Sequence, residues 1–125
     1  VSYALKRFGT RLVVVLGHSH DAVAHAALEG VKDGAAGRLV ADIAPAVEQA
    51  RNRVADLSGS DLEASVVEHN VLLEMERILK NKTVGDKVRD GRVKVIGGIY
   101  NLDTGQVRWL GEHPQQDQIL AGKRP

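Results

Sequence analysis

The alternation of apolar and polar positions divides the chain into short elements. Val1, Ala4, Leu5 and Phe8 recur at spacings of three and four, one face of a helix, and Gly9 follows as a stop. Leu12–Leu16 is an unbroken apolar run between Arg11 and Gly17. Such a run predicts a strand buried on both faces, as in a parallel sheet. Gly17–Asp21 then turns into an alanine-rich helix, Ala22–Leu28, and the glycine-rich stretch Gly30–Gly37 reads as a loop. Leu39, Ile43, Val47, Ala50, Val54 and Leu57 form the stripe of an amphipathic helix. Pro45 within it predicts a kink, or a helix start near Ala44.

Ser58-Gly59 breaks that pattern, and Ser60 with Glu63 has the spacing of a capping box. The helix it opens runs to about Lys80, with Leu62, Val66, Val67, Val71, Met75, Ile78 and Leu79 facing inward. A short helix over Val84–Asp90 closes at Gly91. Val93, Val95 and Ile99 begin a second strand, Asp103-Thr104-Gly105 makes a turn, and Gln106–Leu110 returns antiparallel. Helices between two buried strands predict an α/β fold. The expected sheet is small and mainly parallel, with Leu12–Leu16 beside Val93–Ile99, an antiparallel edge hairpin and flanking helices. One domain over residues 1–113 is expected, followed by a loose polar tail over 114–125.

Composition narrows the function classes. The 125 residues are 43% hydrophobic, enough for one packed core. Only Tyr3, Phe8, Tyr100 and Trp109 are aromatic, too few for a base-stacking platform. The 17 basic and 16 acidic residues leave a net charge of +1, which gives no drive towards nucleic acid or an anionic membrane. With no cysteine, disulfides, thiolate zinc sites and thiol nucleophiles are excluded for this chain. No apolar run approaches the roughly 20 residues of a membrane span, and no signal peptide opens the chain, so a cytoplasmic location is expected. The first residue is valine, and the opening helix reads as the end of something longer, so a piece of a longer protein is also expected.

The candidate chemistry lies in Gly17-His18-Ser19-His20-Asp21. Ligands of open α/β sheets gather at the carboxyl ends of strands. Imidazole and carboxylate both bind zinc, and the turn into the helix offers free N–H groups to an anion. The same residues also suit a structural role, with His18 as a hydrogen-bonded strand end and Asp21 as a helix cap. His25, one turn after Asp21, is placed to pair with it. His69 reads as a helix-surface residue, His113 has no evident partner, and Gly97-Gly98 fits close packing or a bulge. No GxSxG elbow, GxxxxGK[ST] loop or GxGxxG turn is present, and no catalytic residue is assigned.

The run SYALKRFGTRLVVVLGHSHDAVAHAAL resembles the middle of β-class carbonic anhydrases, where a hydrophobic strand leads into G-H-x-x-C-G-A. HNVLLEMERIL and VKVIGGIYNLDTGQVRWL resemble that family's closing helix, strand and hairpin. The resemblance implies a zinc enzyme that interconverts carbon dioxide and bicarbonate and assembles as a homodimer, with neither nucleic acid nor membrane as a partner. It places His18 at the family's zinc-binding histidine, Asp21 at the second cysteine and Ala22 at the following glycine. The family's early cysteine-aspartate-serine-arginine segment has no counterpart here, nor have the first two strands of its sheet. The implied metal residues are therefore His18 and Asp21, an incomplete set that needs His20 or groups from another chain. The alternative is a non-catalytic member that serves assembly.

Overall fold

The computed structural model describes residues 1–53 and 57–122. In chain order the elements are α1 (Ser2–Arg7), β1 (Leu12–His18), α2 (Ala22–Leu28), α3 (Gly34–Arg53), α4 (Gly59–Lys80), α5 (Lys82–Arg89), β2 (Lys94–Tyr100), β3 (Val107–Gly111) and α6 (Gln116–Leu120). The sheet order is β1-β2-β3. β1 and β2 pair in parallel from Leu12↔Lys94 to His18↔Tyr100, and β3 returns antiparallel to β2. This is the expected small mixed sheet with its edge hairpin.

Helix α4 organises the core. Its Val71, Met75 and Leu79 pack against Val93 and Val95, and Leu5 of α1, Val84 of α5 and Ile119 of α6 close the same cluster. One turn towards its start, Val66 and Val67 meet Ala24 of α2 and Ile43 and Ala50 of α3. Glycines set how closely α4 approaches the sheet. A Cβ on Gly17 would lie 2.8 Å from Val71 Cγ2 and 2.9 Å from Val67 Cγ1. A Cβ on Gly97 would lie 2.8 Å from Met75 Sδ. At Gly97/Gly98 the β2–β3 register also slips by one residue, so both readings of the glycine pair hold.

Several expectations are corrected. β1 is not buried on both faces. Val13 and Val15 face the core, but Leu12, Val14 and Leu16 are 50%, 41% and 51% exposed. The cause is position, because β1 is an edge strand and the helix that packs on the sheet covers the opposite face. The stretch Gly30–Gly37 is a loop only to Asp33. Gly34 takes a left-handed φ of +68° and opens α3, and the absent side chain of Gly37 leaves room for the Lys32 carbonyl. α3 therefore begins well upstream of Ala44 and carries Pro45 in its interior. Val54, the next residue of its predicted stripe, lies outside the described residues.

Ser60 is not a cap. α4 starts at Gly59 with Ser58 at the N-cap position, and no side chain there bonds the first turn. His69 is buried rather than on the surface, its Nδ1–H donating to the Ser65 carbonyl at 2.8 Å. The stretch after His113 is not loose throughout, since Gln116–Leu120 forms α6 and Ile119 is 4% exposed in the main core. Ile119, with Leu120 packed beside it on the core, anchors this short turn in an otherwise polar sequence. Residues 123–125 of the predicted tail lie outside the described residues.

Candidate metal half-site at the end of the first strand

His18 is the last residue of β1 and pairs with Tyr100 across the sheet. Ser19 holds the turn to the neighbouring strand. Its N–H donates to the Tyr100 carbonyl at 2.9 Å, and its Oγ accepts from the Leu102 N–H at 2.9 Å. His20 reverses the chain with φ +56°, the one non-glycine residue with positive φ among the described residues. Asp21 then caps α2, its Oδ1 accepting from the N–H groups of Val23 at 2.9 Å and Ala24 at 2.8 Å. The turn thus sets His18 and Asp21 side by side, with His18 Nε2 3.6 Å from Asp21 Oδ2.

The tautomer follows from the hydrogen bonds. His18 Nδ1 lies 2.9 Å from the Ser19 carbonyl, which can only accept, so Nδ1 carries the proton. In the neutral ring Nε2 is then a bare lone pair facing a carboxylate oxygen. Two acceptors aimed at one point repel unless a proton or a cation sits between them. Zinc ligands at ordinary N and O distances stand about 3.4 Å apart in a tetrahedron, close to the observed gap. The pair thus fits one edge of a zinc site.

A whole site does not fit the residues present. Among the described residues no group of three histidine, cysteine, aspartate or glutamate side chains could hold a metal ion. Nor does His20 join the pair as a third ligand. Its Nε2 sits 3.0 Å from Asp103 Oδ2, and that hydrogen bond holds the imidazole above its ordinary value. His25 does not pair with Asp21 either, lying 3.3 Å from Glu29 and 3.4 Å from Glu63. Asp21 is turned towards the first turn of its own helix, which leaves His25 to Glu29 at the end of α2 and Glu63 of α4.

His18, Ser19 and His20 line a cleft of about 450 Å³, with Glu63 and Val67 of α4 and Arg108 of β3 on its walls. Arg108 is held at 2.8 Å by Glu68. Sequence reasoning missed the His20–Asp103 and Glu68–Arg108 pairs. They join residues 83 and 40 positions apart, and no local spacing signals such contacts.

The carbonic anhydrase family model matches residues 1–107. Among solved structures, the fold is similar to the β-carbonic anhydrase CafA of Aspergillus fumigatus, with 20% identity and a TM-score of 0.83 over 99% of this chain and 62% of that one. It is also similar to the Coccomyxa β-carbonic anhydrase, with 20% identity and a TM-score of 0.80 over 94% of this chain and 55% of that one. A third is one of two tetrameric β-carbonic anhydrases from Sordaria macrospora, with 18% identity and a TM-score of 0.79 over 88% and 57%. The chain therefore spans little more than half the length of these structures. No curated protein matches it. With a family model covering most of its length and this fold beneath it, the chain belongs to the β-class carbonic anhydrase family.

Proposed function

We propose that this chain carries the histidine half of a zinc site for the reversible hydration of carbon dioxide. The observation that supports the reading is the His18–Asp21 pair, a bare imidazole nitrogen and a carboxylate oxygen 3.6 Å apart at the carboxyl end of a parallel strand. His18 and Asp21 are its metal residues, and the remaining ligands come from groups outside the described residues or from another chain. Zinc would supply a water of lowered pKa when fully ligated. What this chain does is narrower. The Ser19 carbonyl fixes the His18 tautomer, and the α2 N-terminus holds Asp21 Oδ1 so that Oδ2 stays turned to His18. With two ligands the chain alone binds zinc weakly and hydrates carbon dioxide near background.

A second reading, assembly without catalysis, is favoured by the open apolar side of β1. An edge strand with exposed Leu12, Val14 and Leu16 suits a neighbouring subunit, and we extend the proposal to a homodimer that covers it. No described helix is long and apolar enough to cross a membrane. Cytoplasmic placement belongs to the proposal and rests on the absence of cysteine.

The test is stopped-flow carbon dioxide hydration by the full chain with added zinc, compared with His18→Ala. The reading expects both to run near the uncatalysed rate. Zinc-dependent hydration well above background by the unaltered chain would overturn it, and would show that the ligand set is complete.

A further inference from the structure

A second cleft, of about 580 Å³, opens at the amino-terminal ends of β1 and β2, the opposite end of the sheet from His18. Its charged lining residues are Arg11, Lys87, Arg92 and Lys94, and no acidic residue lines it. Backbone hydrogen bonds hold the four together. The Lys94 N–H donates to the Arg11 carbonyl at 2.9 Å, and the Lys87 carbonyl accepts from the N–H groups of Arg92 at 2.9 Å and Val93 at 3.2 Å. Arg92, Val93 and Lys94 are consecutive, so the four backbones form one bonded patch from which long, flexible stems extend. Arg11, Arg92 and Lys94 are exposed and Lys87 is half-buried, while Leu5 and Val93 form the buried apolar part of the wall.

These charges are largely uncompensated. Arg11, Lys87 and Lys94 make no ion pair among the described residues, whereas Arg77, Lys80, Lys82, Arg89 and Arg108 all do. Arg92 lies 3.6 Å from Asp90, an exposed contact that water screens. Asp86, the one acid of α5, is engaged by Lys82 and Arg89. The elements α1, β1 and β2 carry no acid at all. The chain as a whole has a net charge of only +1, so the accumulation is local. Backbone donors add to it. Gly9 turns the chain with φ +63°, Gly9 and Thr10 both line the cleft, and neither N–H has an acceptor among the described residues. Successive N–H groups at such a turn form an anion-binding concavity.

We propose that this cleft binds a small anion carrying several linked phosphate groups. Like charges gathered without acids are relieved by a ligand of matching negative charge. Phosphate oxygens suit both kinds of side chain present, taking paired N–H groups from arginine and a point charge from lysine. A single phosphate is too small to meet cations spread around a cleft of this size, and a chain of phosphates is not. No aromatic residue lines the cleft, so a nucleoside gains no stacking surface there. Inorganic polyphosphate and a nucleoside triphosphate therefore share the recognised group. The site lies at the far end of the sheet from the His18–Asp21 pair and does not depend on zinc.

Backbone ¹⁵N–¹H correlation spectra of the full chain at low ionic strength test this. Inorganic tripolyphosphate is the probe, with phosphate, ATP and a short single-stranded oligonucleotide as comparisons. Tripolyphosphate should shift the Gly9 and Thr10 amides in a saturable way, and added salt should weaken it because exposed charges are screened. Phosphate should bind at least about tenfold more weakly, having fewer ion pairs to make. ATP should match tripolyphosphate to within about threefold, since its base finds no stacking partner. Arg11→Gln combined with Lys94→Gln should weaken tripolyphosphate about tenfold. Arg38→Gln, which removes an exposed charge from α3, should leave it unchanged. An equal loss in Arg38→Gln overturns the proposal, because binding would then follow net charge alone. So does a failure to saturate, or shifts confined to amides outside the cleft. ATP or the oligonucleotide binding more than tenfold tighter than tripolyphosphate also overturns it, in favour of base or nucleic-acid recognition. Where a variant fails to fold, the probe series in the unaltered chain decides.

Discussion

At the scale of single residues, Asp21 has two duties that a substitution can separate. Its Oδ1 caps α2 and its Oδ2 faces His18. Asp21→Ala removes both and should destabilise the chain by about 0.5–2 kcal/mol. Asp21→Asn keeps an oxygen for the cap, so its cost in urea unfolding should be less than half of that, while the carboxylate facing His18 is lost. Equal costs for the two variants would mean that the charge, not the cap, holds the turn. His113 gives a pH prediction. Its folded-state pKa is lowered by burial, so the unfolded chain takes up the proton first. Stability should be complete above the unfolded value of about 6.5 and fall as pH drops through that window. His20 has the opposite sign, since Asp103 raises its pKa, and its contribution is present below about 6.5 and lost as pH rises through the folded value. Unfolding midpoints from pH 5 to 8 should show the acid slope flattened in His113→Gln. An unchanged slope would remove His113 as its source.

At the scale of elements, the sequence carried its strongest signal where a pattern is local. The α4 stripe, the strand β2 and the Asp-Thr-Gly turn follow directly from spacing and turn chemistry. β1 was legible as a strand but not as one with an open face, because Leu12–Leu16 has no polar alternation to mark it. The start of α3 was hidden for a related reason. Gly34 and Gly37 read as breakers, yet one supplies a left-handed φ and the other space for a carbonyl. The open side of β1 carries its own prediction. Val14 is 41% exposed in the single chain, so Val14→Lys should weaken self-association and lower the unfolding midpoint only by the stabilisation that association supplies. Sedimentation velocity at micromolar concentration should show a dimer for the unaltered chain and a shift to monomer for Val14→Lys. A stable monomer in both would remove the assembly reading.

At the scale of the whole molecule, the family frame brings together the two residues of the proposed metal half-site. The parallel pair β1–β2 delivers His18 to the end of the sheet, α4 backs it through Gly17, and α2 holds Asp21 in reach. The sequence made His18 and Asp21 visible through the family pattern G-H-x-x-C, in which Asp21 replaces a thiolate. It could not show that His20 is taken up by Asp103, since that pair forms only once the β2–β3 turn is folded against the His18 loop. The proposed function makes this chain the source of two zinc ligands, with His18 as the anchor. A calorimetric zinc titration of the unaltered chain, His18→Ala and Asp21→Cys tests it most directly. Weak binding is expected for the unaltered chain, none at this site in His18→Ala, and affinity raised at least about tenfold in Asp21→Cys, whose thiolate is the softer donor. Tight, stoichiometric zinc that persists in His18→Ala would contradict it.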